Sequence, residues 1–207
     1  MPNNFKKTKY KILKQCISKE LCEFVYTHLL IKKNVCDVLF EKKQLPYWEI
    51  EWGHYRDPQV PNTYSIYGDT VTEQLLIRMK PLVEKTIGKK LIENYSFARV
   101  YKKYDVLKKH IDRYSCEFST TLNLGGDLWP IYLMSDKKEI KVELNPGDML
   151  VYRGCELLHW RDAFLGKVCG QVFLHYNSAD DDNKWDGRPC IGYPFPNKEK
   201  INKKPKQ

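Results

Sequence analysis

The hydrophobic rhythm of the chain changes once. Up to about residue 89 the apolar positions recur at helical spacing, and from Lys90 onward they alternate with polar ones. Residues 18–33, SKELCEFVYTHLLIKK, place Leu21, Phe24, Val25 and Leu29 on one stripe, with Ser18 at the N-cap position. His28 lies beside that stripe and reads as a packing residue. Residues 70–88 predict a second helix, with Leu75, Leu76, Met79, Leu82, Val83 and Ile87 as its apolar face. Thr70 and Glu73 have capping-box spacing, Gly88 is a natural stop, and Pro81 is expected to kink or split the helix. Between the helices, residues 44–69 are rich in aromatics and carry three prolines. They are too apolar for a disordered linker and are expected to form an ordered cover, a lid.

Past Lys90 come short alternating runs: SFARVY, EFSTTLNL, WPIYLM, IKVEL, DMLVY and QVFLHY, broken by turn-like LGGD and NPGD. Strands in series after two helices predict a mainly β, α+β fold, a barrel or jelly roll flanked by helices. In EFSTTLNL, Glu117, Ser119, Thr121 and Asn123 form a polar face that lines either a cavity or the solvent. One domain over 1–207 is expected. Residues 1–89 would give helical support and the cover, 90–178 the core, and 179–207 a basic extension.

Composition narrows the setting. No apolar run approaches the length of a membrane span, and the start MPNNFKKTKYKIL lacks the apolar stretch of a signal peptide, so the expected location is cytoplasmic. Seven cysteines are an odd number and include no C-x-x-C pair, which favours reduced thiols over a zinc knuckle or a disulfide framework. The net charge of +9 lies largely in the end segments FKKTKYKILK and NKEKINKKPKQ, which read as solvated tails rather than a nucleic-acid surface.

The candidate chemistry lies in KKHIDRY. In extended chain, side chains at i and i+2 face the same way, so His110 and Asp112 converge while Ile111 points elsewhere. A metal needs a third ligand, and the best candidate is His159 in GCELLHWRD, after the turn and strand LNPGDMLVY. Two imidazoles and one carboxylate on one face of a metal leave positions open, the arrangement of non-haem Fe(II) oxygenases. A 2-oxo acid chelates through two oxygens there, and dioxygen takes the remaining position. The competing reading makes His110 and Asp112 ordinary surface residues. His54 and Asp57 also suggest a ligand pair, but nothing nearby completes it.

Residues 90–177 resemble 2-oxoglutarate- and Fe(II)-dependent oxygenases of the prolyl-4-hydroxylase-like group. VYKKYDVLKKHID, LNPGDMLVYRGCELLH and HWRDAFLGKVCGQVFLHYN carry the resemblance. Where the family often has glycine before H-x-D, this chain has Tyr104 and Asp105. The resemblance implies a double-stranded β-helix, jelly-roll or cupin-like, with His110, Asp112 and His159 as iron ligands. It implies Fe(II), 2-oxoglutarate and dioxygen as cofactors, with oxidative decarboxylation to succinate coupled to C–H hydroxylation.

The family's cation for the distal carboxylate of 2-oxoglutarate falls here on Cys169. Lys167, nearest in register, and Arg161, two residues past His159, are the rival anchors, with Gln171 as a weaker polar contributor. Thr121 and Tyr101 align with cosubstrate-pocket positions of the family. Arg113 is expected to point away from the metal, toward Glu117 or the substrate, and His175 to be a satisfied barrel residue. Trp129, Trp160, Tyr64 and Tyr67 are expected around the mouth. The leading expectation is hydroxylation of an aliphatic carbon in a peptidyl substrate, such as a prolyl residue, or in a small molecule. The alternatives are oxidative modification of nucleic acid and a non-catalytic cupin-like binding barrel. A hydrolytic zinc enzyme has the same ligands but no obvious general base.

Overall fold

A computed structural model describes residues 5–44 and 51–180. Its helices are α1 (Phe5–Thr8), α2 (Lys19–Glu41) and α3 (Thr70–Ile87). The strands before the second turn of the barrel are β1 (Tyr10–Leu13), β2 (Tyr64–Tyr67), β3 (Leu91–Lys102), β4 (Leu107–His110) and β5 (Phe118–Gly126). β6 (Ile131–Ser135), β7 (Lys138–Val142), β8 (Met149–Tyr152), β9 (His159–Arg161) and β10 (Val168–Ser178) follow. The strands pair antiparallel in a six-stranded sheet, β1-β8-β5-β10-β3-β2, and a four-stranded sheet, β4-β9-β6-β7. Together they make the double-stranded β-helix.

Alternation sorts each central strand of the larger sheet between two cores. Phe118, Leu122 and Leu124 of β5 join Ala98 and Val100 of β3 and Val172 and Leu174 of β10 on the outer face. There they pack with Val25 and Leu29 of α2 and Leu75, Leu76, Met79 and Val83 of α3. The intervening residues of the same strands turn into the barrel, where Tyr95, Phe97, Tyr101 and Phe173 form a second cluster with Trp129 and Phe164. The polar face of β5 is therefore interior. Residues 118–125 are all buried, which overturns the solvent-facing alternative.

Ser18 caps α2 by accepting from the Leu21 amide. The helix runs past the expected end at residue 33 to Glu41. Phe24, expected on the buried stripe, is 65% exposed, because Cys22, Val25, Leu29 and Cys36 define the face toward the sheet. α3 is capped one residue earlier than its capping box suggests, by Asp69, which accepts from the Val71 amide. Asp69 also accepts from His28 and Lys32 of α2, both at 2.9 Å, so His28 ties the two helices together. Glu73 turns instead to the sheet and accepts from the Ser96 amide and hydroxyl. α3 runs unbroken through Pro81. The carbonyl that Pro81 leaves without a donor belongs to Ile77, which lies on the exposed face of the helix, open to solvent. Gly88 ends the helix at φ 79°.

β4 and β9 were not legible as strands, and they are the strands that bring the candidate ligands together. No helix among the described residues is long and apolar enough to cross a membrane. The six described cysteines are free, while Cys190 and most of the 179–207 extension lie outside the described residues.

Candidate metal centre

His110 ends β4 and His159 opens β9, and the antiparallel register places them directly opposite each other. Their rings stand 4.2 Å apart between centroids. Just past β4, Asp112 is fixed through its backbone, its amide donating to Gly154 O at 2.8 Å. Its Oδ1 lies 3.6 Å from His110 Nε2 and 3.5 Å from His159 Nε2. One ligand atom from each residue falls within 4.8 Å of the others. The competing reading of His110 and Asp112 as ordinary surface groups has to account for this convergence with a buried histidine on another strand.

Second partners orient all three groups. His110 Nδ1 lies 2.7 Å from Lys108 O and His159 Nδ1 2.8 Å from Leu157 O. A carbonyl accepts only, so each Nδ1 carries the proton and each Nε2 presents its lone pair inward. Ser119 Oγ donates to Asp112 Oδ2 at 2.6 Å and contacts His175 Nδ1 at 3.1 Å. Gly154 makes the approach possible. A Cβ there would stand 2.4 Å from both Asp112 Oδ2 and Ser119 Oγ.

The electrostatics suit a ligand set. Burial pushes the Asp112 carboxyl up, but its bonds with His110 and His159 outweigh burial and hold it well below the usual carboxylate range. Burial pushes His175 down to about 4, so its ring is neutral. Asp112, Cys116 and His175 form a second convergent group. Its thiol is raised by burial and lies 3.0 Å from Tyr95 OH, which suits a protonated packing cysteine better than a thiolate ligand.

The triad lies at the inner wall of a cavity of about 370 Å3. Tyr152 leads away from it, with its hydroxyl 3.5 Å from His159 Nε2. The Thr121 hydroxyl is buried beside that phenol without a well-formed hydrogen bond. Arg161 projects from β9 on the same side as His159 and is 1% exposed. Its guanidinium lies over the Trp129 ring, donates to Trp129 O, and reaches Gln171 Oε1 at 3.4 Å. Its Nε has no partner, and no carboxylate among the described residues pairs with it. A buried guanidinium without a counter-ion is costly, and burial depresses its basicity. Such a group suits a bound anion, and Tyr101 and Tyr152, which line the cavity, lie close enough to act on its charge. Gln171 also donates to Asn123 Oδ1 at 3.1 Å, which holds its carbonyl toward Arg161.

Several expected neighbours lie elsewhere. Lys167 is exposed in the turn before β10 and does not line the cavity, because β10 begins only at Val168. Trp160 points to the outer face of the small sheet, stacked on Tyr132. Tyr64 is buried on the helix side, its hydroxyl donating to Trp52 O. Trp129 backs Tyr101 and Arg161 inside the barrel, and of the four aromatics Tyr67 alone lines the cavity. Arg113 lines the cavity, and Glu117 pairs with Arg153.

Arg99 and Gln59 were missed, and Asp57, read with His54 as a possible ligand pair, is found on Arg99. Arg99 shares the inward face of β3 with Tyr101, two residues on, so the alternation in SFARVY carried the signal. Arg99 pairs with Asp57 at 3.1 Å and contacts Gln59 Oε1 at 3.3 Å. The Gln59 amide donates to His110 Nε2 at 2.6 Å. The segment around residues 54–59 thus covers the cavity, pinned at one end by the His54–Ser65 bridge. His54 stacks on Tyr67, and burial lowers its pKa.

No family model matches the chain, and no curated protein matches its sequence. Solved structures resemble it in fold. A prolyl-4-hydroxylase from Pseudomonas putida superposes with TM-score 0.61 at 12% identity, over 85% of this chain and 96% of that one. HygX from Streptomyces hygroscopicus, with nickel, 2-oxoglutarate and hygromycin B bound, gives 0.64 at 13%, over 84% and 85%. EctD from S. alaskensis, with 2-oxoglutarate and 5-hydroxyectoine, gives 0.58 at 14%, over 93% and 81%. At these identities the likeness establishes the double-stranded β-helix and leaves the chemistry to the residues.

Proposed function

We propose that the chain is a 2-oxoglutarate- and Fe(II)-dependent dioxygenase that hydroxylates an aliphatic C–H. The observation that carries this reading is the convergence of His110, Asp112 and His159, with both Nε2 atoms turned inward by backbone carbonyls. The bound structures of HygX and EctD support it by analogy of fold, since both hold 2-oxoglutarate. Ferrous iron, when bound, supplies dioxygen activation coupled to decarboxylation of 2-oxoglutarate to succinate.

The residues around the site do the rest. His110, Asp112 and His159 hold one face of the ion and leave the cavity side open. Arg161 neutralises the distal carboxylate of 2-oxoglutarate, with Gln171, Tyr101, Thr121 and Tyr152 lining the path back to the ligands. Both carboxylate oxygens match its planar fork, which a lysine lacks. The segment around residues 54–59 restricts water at the reacting centre.

The cavity, about 370 Å3 and partly covered by the segment around residues 54–59, favours a small-molecule substrate over a peptidyl or prolyl one. It disfavours nucleic acid too, whose backbone needs an open basic groove. A non-catalytic cupin-like barrel predicts no turnover at all. We place the protein in a reducing, cytoplasmic setting, in keeping with its six described free thiols. The test is succinate release from 2-oxoglutarate under Fe(II) and air. Wild-type protein is expected to form succinate, His110→Ala and His159→Ala none, and a wild type silent with every candidate substrate contradicts the reading.

A further inference from the structure

The cavity beside the triad is lined by a buried guanidinium, that of Arg99, in addition to the metal-facing groups. Arg56, Arg99 and Arg113 line it against two carboxylates, Asp57 and Asp112. Asp112 faces the imidazoles, and Asp57 pairs with Arg99. Arg161, which lies deeper and outside that lining, already suits the distal carboxylate of 2-oxoglutarate. Arg99 therefore stands as a second buried guanidinium with a different task.

Its surroundings are those of a carboxylate receptor. Arg99 is 1% exposed and projects from the middle of β3, a rigid strand, rather than from a loop. Its guanidinium lies 4.8 Å from the Phe97 ring and 5.5 Å from the Tyr101 ring, which fixes its plane. NH2 meets Asp57 Oδ1 at 3.1 Å, NH1 lies 3.3 Å from Tyr101 OH, and Nε is buried without a partner. Asp57 comes from the covering segment, where it also accepts from the Gln59 backbone N–H at 2.8 Å. The strand residue is thus fixed, while its carboxylate is supplied by the cover.

We infer that Arg99 binds the carboxylate of a small free carboxylic acid, the substrate of this site, and that Asp57 fills that position when the acid is absent. The inference rests on the dioxygenase reading and names the substrate class for it. Tyr67, Tyr95, Phe97 and Phe173 give the acid an apolar and aromatic wall. The Gln59 carboxamide alone spans from Arg99 to His110, with its oxygen 3.3 Å from one and its nitrogen 2.6 Å from the other. The carbon that reacts therefore lies only a few bonds from the carboxylate. A neutral peptide segment offers Arg99 nothing in place of Asp57 and leaves a buried charge unpaired.

The test is equilibrium binding, read as the shift in thermal midpoint. Small aliphatic and arylalkyl carboxylic acids are each paired with their primary amides, and each pair is titrated with and without Ni(II) and 2-oxoglutarate. At least one acid is expected to bind about tenfold or more tightly than its amide. Asp57→Asn, a change in the covering segment, is expected to tighten acid binding by removing the internal competitor. Arg99→Gln is expected to erase the preference for acids, and Arg161→Gln to weaken 2-oxoglutarate instead. The inference is overturned if no acid outbinds its amide, if Asp57→Asn weakens acid binding, or if Arg99→Gln costs as much 2-oxoglutarate affinity as Arg161→Gln. Failure of Ni(II) and 2-oxoglutarate to bind, with the acid preference intact, would strike the dioxygenase reading and leave the receptor standing.

Discussion

Ser119 Oγ donates to Asp112 Oδ2 at 2.6 Å, and this bond turns the other carboxylate oxygen, Oδ1, toward both imidazoles. Asp112 lies in irregular chain just past β4 rather than in a strand, so its side chain depends on such a partner for direction. Ser119 comes from the inward face of β5, and His175 of the neighbouring β10 lies against it.

Removing that hydroxyl leaves all three ligands in place but frees Asp112 to rotate. Ser119→Ala is expected to lower Fe(II) affinity by roughly 10- to 100-fold with little change in fold. Anaerobic metal titration measures it, and an unchanged affinity would show that the Gly154 backbone contact suffices.

Gly154 tests the same packing from the other side. Gly154→Ala drives a methyl to 2.4 Å from Asp112 Oδ2 and 2.6 Å from Cys116 O. The expected outcome is destabilisation by about 1–3 kcal/mol in urea unfolding, together with weakened metal binding. A variant as stable and as metal-competent as wild type would contradict the close approach.

Arg161 separates the cosubstrate from the metal. Arg161→Lys keeps the charge and loses the fork, and it is expected to raise the 2-oxoglutarate KM by about tenfold, with Arg161→Gln worse. Fe(II) affinity should stay near wild type in both. Lys167→Ala, in the exposed turn, is expected to leave that KM unchanged.

His175 sets an acid limit on stability. Its folded pKa is about 4, below the ordinary 6.5, because the ring is buried. Protonation therefore favours the unfolded chain, so stability is full above pH 6.5 and is lost as pH falls from there toward 4. The contribution is on the order of 3 kcal/mol. Urea unfolding of the metal-free protein between these pH values is expected to show the slope, and His175→Asn to flatten it.

The legible and illegible parts divide along physical lines. β3, β5, β8 and β10 announced themselves because each is a central strand with a dry core on one face and the barrel interior on the other. His110, Asp112 and His159 could be picked out because metal chemistry restricts residue types and spacing. β4 was not legible, since LKKH has one buried residue and owes its strand form to pairing with the three-residue β9. Phe24 misled because helical periodicity finds a stripe but not which neighbour covers it. Gln59, and the pairing of Asp57 with Arg99, were hidden because contacts from an irregular segment depend on where the cover folds back. Tyr104, at φ 72° and 69% exposed, adopts a left-handed backbone conformation that ordinarily favours glycine.

The most direct measurement is anaerobic titration of Fe(II) and 2-oxoglutarate, followed through the visible charge-transfer absorption of a ferrous 2-oxo acid chelate. Wild-type protein is predicted to saturate at one iron per chain and to develop that band. His110→Ala, Asp112→Ala and His159→Ala are each predicted to lose it. A band of full strength in any of the three variants, or none in the folded wild type, would contradict the account.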